Sequence, residues 1–576
     1  MKNIKEFKPL WNYIKEDKVK VIIATIIIFI VGLSNTLTGY LNGNVVESIS
    51  KLKVKEAFIY LGIYFIIELL IDGYLNIKGW SLLQQVENRV SRSLSFNTYK
   101  KALNIPAYGY EKTSSGEIIN RVTYDADTLS FSFGHLIEMI SRIIGALIIL
   151  VYVFINSYII GIEIIIFMFI LYLVIKKYNP LIISVHKDRR KSQDKFASIV
   201  NESIRGIREI KTLGVKKNLI SDTKKIINDI LNISNKEINT SRIFRTINKV
   251  LKNFLEVLVF ATCIVLLYYK QITLSFFVAM TYYVYTFMYL IDEVNSFSEI
   301  YQKTIVSITR VNEILDNKLY EDEKYGTKEL KKIKGVIKFE NVNFGYPNEG
   351  TLLHNFNIEL KPNKKIAIVG ASGQGKSTLF NLITRIFDPN EGSIYIDNVN
   401  IKDLSEKELR KQISIIRQEP FIFNRSILDN FKLINENITL KEVRKYSKMA
   451  YLDDYIMSLP NKYDTILGEG GVNLSGGQKQ RLSIARTLAK NSKIILFDEA
   501  TSALDNSSQE YIKKSIDNLV LNHTVVIVAH RLSTIIDSDI IYVVDKGKVV
   551  SKGKHNELLK NSHIYKKLYE TESLNS

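Results

Sequence analysis

The sequence has almost no cysteine and little proline, one Cys and eight Pro in 576 residues. The lone Cys263 lies in an apolar run, so an intrachain disulfide and a multi-cysteine metal site are both excluded. So few prolines, with 46% hydrophobic residues, exclude collagen-like and disordered classes. Acid is the scarcer charge. Asp+Glu number 59 against 78 Lys+Arg, a formal net charge of +19. That excess suits either a nucleic-acid partner or the cytoplasmic loops of a membrane protein, and its distribution decides between them. At about 150 residues per domain, the length corresponds to three or four domain-sized pieces.

Long apolar runs are abundant, and nearly all fall within residues 1–310. Six spans are expected, at about 21–41, 57–78, 134–155, 157–176, 250–269 and 273–294. Each is near the ~20 residues that a helix needs to cross a bilayer. Buried core helices are usually shorter and amphipathic, whereas Val21–Gly32, Leu147–Ile155 and Ile164–Ile175 are apolar all round. No small-residue cleavage site follows the first span, so it is not read as a signal peptide. With the N-terminus inside, segments 1–20, 79–133 and 177–249 hold 29 Lys/Arg. The outer loops hold four, Lys51, Lys53, Lys55 and Lys270, as the positive-inside rule requires. The inner segments alone carry a net +14, which accounts for most of the basic excess without nucleic acid. Ser81–Leu103 and Lys187–Leu231 repeat apolar residues at helical spacing among charges. They read as membrane helices continuing into the cytosol as two long hairpins.

The character changes near residue 311. A polar linker is expected over 311–334, and a soluble domain over 335–576. There, short apolar strands alternate with helices, at Gly335–Phe344, Lys365–Val369, Ser393–Ile396, Ile413–Ile416, Lys493–Phe497, Thr524–Ala529, Ile540–Val544 and Lys548–Ser551. This is an α/β pattern. Within it, Gly370-Ala371-Ser372-Gly373-Gln374-Gly375-Lys376-Ser377 follows a strand and opens a helix at Thr378, the context of a phosphate-binding loop. Its glycines, among them Gly370, Gly373 and Gly375, let backbone N–H groups turn onto phosphates beside Ser372 and Thr378, and the helix N-terminus adds positive dipole. Lys376 should reach the β- and γ-phosphates, and Ser377 should ligate Mg²⁺. Ile494–Phe497 runs into Asp498-Glu499. A buried strand ending in two acids suits a second Mg²⁺ anchor, Asp498, and a base, Glu499, that polarises the attacking water.

Between these motifs stands Leu474-Ser475-Gly476-Gly477-Gln478, and here the sequence resembles the ATP-binding cassette family. The resemblance implies that Tyr346 stacks on adenine and that Gln418 senses Mg²⁺ and contacts the membrane part. It also implies that Ser502-Ala503-Leu504-Asp505 is the D-loop and that His530 contacts the γ-phosphate. Gly468-Glu469-Gly470-Gly471 stands where exporters of the family have a short loop of their own. Tyr110–Glu117 with Asn120-Arg121, Asn201-Glu202-Ser203 through Gly214, and Arg310–Asp316 are similar to the two intracellular hairpins and the junction of such exporters. Arg417 before Gln418, and Gly470 where an arginine is frequent, are small departures.

The implied architecture is a six-helix membrane domain of the exporter type followed by an α/β P-loop cassette. The implied activity is ATP-driven export of a drug-like amphipath, lipid or peptide across the cytoplasmic membrane by alternating access. Two alternatives stay open, an importer built on the exporter fold and a non-transporting regulator. A soluble ATPase is excluded by the six spans. A peptidase-coupled exporter is not expected, because about twenty residues without Cys precede the first span. In the family, the phosphate loop of one cassette faces the LSGGQ of another, so this chain should pair, as a homodimer or with a second half-transporter. The cargo surface has fewer signals. Glu68 and Asp72 share a helix face, as do Glu138 and Arg142, which can neutralise each other; Glu256 stands alone; Tyr282, Tyr285 and Tyr289 form a stripe. Acids beside aromatic faces suit a bulky, partly apolar cation.

Overall fold

The computed structural model describes residues 8–112, 115–316, 322–330, 332–347, 350–371, 373–468, 471, 473–498, 506–520, 522–528 and 535–573. Two compact units emerge, Met1–Leu103 with Ser114–Leu319, and Asn104–Thr113 with Tyr320–Ser576.

The first unit is helical. After a short α1 (Lys8–Ile14) come α2 (Lys18–Ser50), α3 (Val54–Ile67) and α4 (Asn76–Ala102); α5 (Ala107–Lys112) belongs to the second unit. Then follow α6 (Ser115–Asn120), α7 (Ala126–Asn156), α8 (Tyr158–Arg205), α9 (Ile207–Leu213), α10 (Lys216–Tyr268) and α11 (Leu274–Leu315). The six apolar runs lie along these helices, with Ser157, Tyr269 and Thr273 standing just outside them as caps. Among the described residues, four helical stretches suit a membrane crossing by length and composition, Trp11–Ser50, Gly116–Asn156, Tyr158–Ile204 and Lys216–Tyr268, with Leu274–Leu290 a shorter apolar stretch. The second run is not one regular helix. Glu68–Leu75 is π-helical, as is Arg121–Asp125 between α6 and α7. Such widened turns are rare and concentrate at functional places.

Local chemistry sets the breaks. Ser157 is extended and ends α7. Gly214 at φ +69° ends α9, and the Thr273 hydroxyl accepts from Phe276 N at 3.1 Å to start α11. Helix α2 packs on α11 through a small residue. A Cβ on Gly39 would sit 2.7 Å from the Tyr283 ring, and the Tyr283 hydroxyl donates to Thr36 O at 2.8 Å.

The second unit holds two sheets. An antiparallel sheet has the order β2-β1-β4-β5, from β1 (Ile337–Phe344), β2 (Leu353–Leu360), β4 (Glu391–Ile396) and β5 (Val399–Asn400). The larger sheet has the order β10-β9-β3-β8-β7-β6, from β3 (Lys365–Val369), β6 (Ile413–Ile416), β7 (Ile494–Asp498), β8 (Thr524–Val528), β9 (Ile540–Asp545) and β10 (Lys548–Gly553). Strands β6, β7, β8, β3 and β9 run parallel and β10 antiparallel. Side chains alternate across β3. Ala367 and Val369 enter one core, and Ile366 and Ile368 the other. Helices α12 (Lys376–Ile383), α13 (Glu406–Gln412), α14 (Ile427–Lys432), α15 (Leu440–Met449), α16 (Asp453–Ser458), α17 (Gly476–Lys490), α18 (Asn506–Val520), α19 (His555–Asn561) and α20 (His563–Ser573) complete the unit. In the segment expected as a linker, α11 continues to Leu315, and part of the rest lies along the cassette. Gly326 N donates to Leu404 O, and Lys328 N to Asp403 O.

Candidate functional site

The parallel sheet gathers the site at one edge. In register, Ile416 pairs with Phe497, and Asp498 with Val528, while β3 lies beside β8. The carboxyl ends of β3, β6, β7 and β8 therefore lie side by side, and these ends lead to the phosphate loop, Gln418, Glu499 and His530. Ligands of open α/β sheets bind at such an edge. Ser372, Glu499, Asp505 and His530 lie outside the described residues, as do Glu469, Gly470 and residues 502–504.

Gly373 (φ +79°) and Gly375 (φ +83°) are left-handed, a conformation that glycine adopts without a Cβ clash. Gly375 is the N-cap of α12, and no acid stands in the first turn of that helix, so its positive end is free for phosphate. The buried Lys376 turns its ammonium back onto Gly370 O at 2.9 Å and Ala371 O at 2.8 Å. The Ser377 hydroxyl donates to Asp498 Oδ1 at 3.0 Å. Those two hard oxygens, from different elements, fit one Mg²⁺ beside a phosphate.

Tyr346 is held from three sides. Its ring stands edge-on to Phe344 and Phe387, with centroids 5.1 Å away in each case. Its hydroxyl meets Thr378 Oγ1 at 3.0 Å, with Asn381 Nδ2 at 3.4 Å. The ring expected to stack on the base is thus tied to the first turn of the phosphate-loop helix. Phe387 and Asn381 were not legible as site residues, because their only signal is proximity to Tyr346 in space.

Ser475 caps α17. Its hydroxyl accepts from Gln478 N at 3.3 Å, and Gln478 Oε1 accepts from Ser475 N at 2.8 Å, a reciprocal capping box. Ser475 and Gly476 are exposed, Gly477 is buried, and the first turn of α17 has no acid. Gln480, one turn on, donates to the backbone carbonyl of Gln418 at 3.0 Å, so the signature helix holds the Gln418 loop. At the far end of α17, Lys490 donates to Ile413 O at 2.8 Å. Burial, with the Arg410 cation adding, pushes that ammonium down to about 8.

In the first unit, Glu256 accepts from the Tyr285 hydroxyl at 2.7 Å, and Glu68 lies 3.5 Å from the Tyr64 hydroxyl. Tyr282, Tyr285 and Tyr289 are 46%, 49% and 65% exposed, so the stripe is not consumed by packing within the chain. Arg142 pairs with Glu138 and also with Glu293, at 3.1 Å. Two further acids stand here that the sequence reading does not name, Glu293 and Glu163, the latter accepting from the Thr262 hydroxyl at 2.7 Å. An acid isolated in an apolar run, as in Ile162-Glu163-Ile164, was the available signal for Glu163.

A phosphate loop, a strand-tip acid in hydrogen-bond contact with its serine, and an exposed, capped signature turn define a P-loop ATPase cassette. Here the cassette is fused to apolar helices. The comparisons agree. Residues 21–291 match the ABC transporter transmembrane region, and residues 353–502 match the ABC transporter family. Among relatives, an ATP-dependent lipid A-core flippase of Wigglesworthia glossinidia brevipalpis is 29% identical over 574 residues, 98% of this chain and 97% of the relative. A protein so described from Photobacterium profundum is 27% identical over 569 residues, with the same coverage. The solved structure of a bacterial Atm1-family ABC exporter with ATP bound superposes with a TM-score of 0.81 at 22% identity, covering 96% of this chain and 98% of that one.

The chain belongs to the ABC transporter family. It is a half-transporter of the exporter type, a multi-pass membrane protein whose ATP-binding cassette powers transport.

Proposed function

We propose that the chain works as a homodimer in the cytoplasmic membrane, cassettes inside, exporting a lipid or lipid-like amphipath. The observation that supports this reading best is the exposed Ser475 turn. It is a phosphate-ready helix start that faces out of its own chain, and a second copy would give it a nucleotide. The lipid assignment draws on the lipid A-core flippases, alignable over 98% of the chain.

Within each site, Tyr346 orients the base while Lys376 and the N–H groups of the 370–375 loop hold the phosphates. Ser377, Asp498 and Gln418 would hold Mg²⁺, which when bound neutralises charge on the phosphate oxygens. Glu499 takes the proton of the attacking water, and His530 holds the γ-phosphate. Asp505 and the partner's Ser475-Gly476-Gly477-Gln478 turn close the cage. The test uses purified chain in phospholipid vesicles carrying nitrobenzoxadiazole-labelled phosphatidylethanolamine. ATP should drive the label across the bilayer, and Lys376→Ala should abolish that movement. ATP hydrolysis with no lipid movement above the Lys376→Ala level would overturn the lipid reading.

Two smaller predictions belong here. Phe387→Leu and Asn381→Ala should raise KM for ATP about fivefold with kcat within twofold, because both support the Tyr346 ring rather than the reacting phosphates. Adding Asn381→Ala to Tyr346→Ala should then cost nothing further. Additive effects would show that Asn381 acts elsewhere.

The second prediction concerns cargo charge, since the Glu256–Tyr285 pair and the open tyrosine stripe favour a cationic group on the cargo. Glu68→Gln, Asp72→Asn and Glu256→Gln are each expected to lower stimulation of ATPase activity by rhodamine 6G at least about threefold. Unchanged stimulation in all three would remove the acids from the cargo path.

A further inference from the structure

Helices α7 and α11 meet along a line of polar contacts that lies apart from the nucleotide site and reaches the candidate cargo surface only at its last member, Arg142. At its start, Arg121 in the π-turn is buried and bridges Glu117 at 2.8 Å and Glu313 at 3.0 Å. One turn on, the buried Asp125 accepts from the buried Ser307 at 2.7 Å. Ser132 and Thr304, both buried, share a hydroxyl–hydroxyl bond. Arg142 then meets Glu293 at 3.1 Å. As the α7 residue number rises the α11 number falls, and the register holds to within about one helical turn along the whole line. Ala126 and Leu129 of α7 fill the space between contacts with Ile308 and Val311 of α11. From Arg121 to Arg142 the line runs about 32 Å at 1.5 Å per residue.

Where this line begins matters. The segment Asn104–Thr113, just before α6, belongs to the compact unit that contains the cassette. Helix α11 ends at Leu315, just before the chain continues toward the cassette. Arg121–Glu313 and Asp125–Ser307 therefore tie together the two stretches of chain that lead out of the second unit. A slide of one helix along the other would part Arg121 from Glu313, leaving it Glu117 alone, and would take Ser307 from the buried Asp125, a cost inside the protein where under-satisfied charges are expensive. It would also misalign every later contact.

We propose that Arg121 and Asp125 are positioning residues for transport, holding α7 and α11 as one body from the cassette junction to membrane depth throughout the cycle. Nucleotide-driven movement then reaches the spans undiminished. This rests on the chain being an ATP-driven transporter, not on the nature of its cargo.

The test uses the full chain in vesicles, with Cys263→Ala removing the only native cysteine. Ser132→Cys with Thr304→Cys places two thiols where two hydroxyls already touch, so oxidation should join them. The joined protein should keep ATPase activity within twofold of its reduced form. Failure to join, or activity lost on oxidation and restored by a reductant, overturns the proposal, because either shows that the helices part. In a second arm, Arg121→Gln and Glu313→Gln should keep basal ATPase activity within twofold while losing at least about fivefold of ATP-driven labelled-lipid movement, and Arg121→Lys should recover part of it. Movement per ATP unchanged in both Gln variants also overturns the proposal. The cross-linking arm needs no cargo, so a wrong lipid assignment and a wrong account of α7 and α11 give different results.

Discussion

Glu499→Gln is expected to yield a protein that binds ATP and closes but turns over at least about 100-fold more slowly. Strand β7 is fully buried up to Phe497 and ends on Asp498, which touches Ser377. The next residue in the chain is the carboxylate that the sequence assigns to the attacking water. Glutamine keeps the volume and the hydrogen-bonding capacity but cannot take a proton from water. A 100-fold loss corresponds to about 2.7 kcal/mol of transition-state stabilisation, within the range of a removed general base. Lys376, Ser377 and Asp498 remain, so binding of a fluorescent ATP analogue should be unchanged. Hydrolysis near the wild-type rate would move the base elsewhere, and lost binding would mean that Glu499 supports the nucleotide rather than the water.

Ser475→Arg is expected to abolish ATPase activity in a folded, membrane-inserted protein. The exposed serine caps α17, so replacing it with a residue that cannot cap, such as Ala or Arg, costs about 1 kcal/mol of helix-start stability. Ser475→Ala controls for that loss, since it removes the hydroxyl without adding bulk or charge, and should keep measurable activity. The arginine goes further by placing a cation and a long stem where the partner's phosphates must sit. Mixing Ser475→Arg with Lys376→Ala chains separates the models. If sites form between copies, each mixed dimer carries both lesions in one site and none in the other, and some hydrolysis should return. An active monomer, or no recovery on mixing, would count against shared sites.

Apolar runs of bilayer length and the buried parallel strands were open to reading, because each needs a long or continuous apolar stretch that little else in a sequence imitates. Strand β2 was not. Leu353, Phe356, Ile358 and Leu360 face the core, but Asn355 at φ +46° and a shifted register interrupt the alternation. Helix α12 starts at Lys376 rather than Thr378, because the left-handed Gly375 already serves as its N-cap. The π-turns at Glu68–Leu75 and Arg121–Asp125 leave no pattern in composition, since a widened turn differs from a helix by one inserted residue. The nucleotide motifs were legible because each is a contiguous string. The supports behind them, Thr378 to Tyr346 and Gln480 to the Gln418 loop, join residues distant in the chain and needed coordinates.

Helices α8 and α10, at 48 and 53 residues, carry a mechanical consequence. At 1.5 Å per residue they are about 72 and 80 Å long, against a hydrocarbon layer of about 30 Å. Pro180 interrupts the hydrogen-bond ladder of α8, whereas α10 has no proline and is a lever whose arm outside the membrane, roughly 50 Å, exceeds the part inside it. A swing of about 5° at the membrane boundary carries the far tip about 4 Å while the intramembrane end travels less. The displacement ratio favours force over distance, as a long handle does. A modest closing force at the tips thus becomes a larger one in the bilayer, where lipid packing resists the opening of a path.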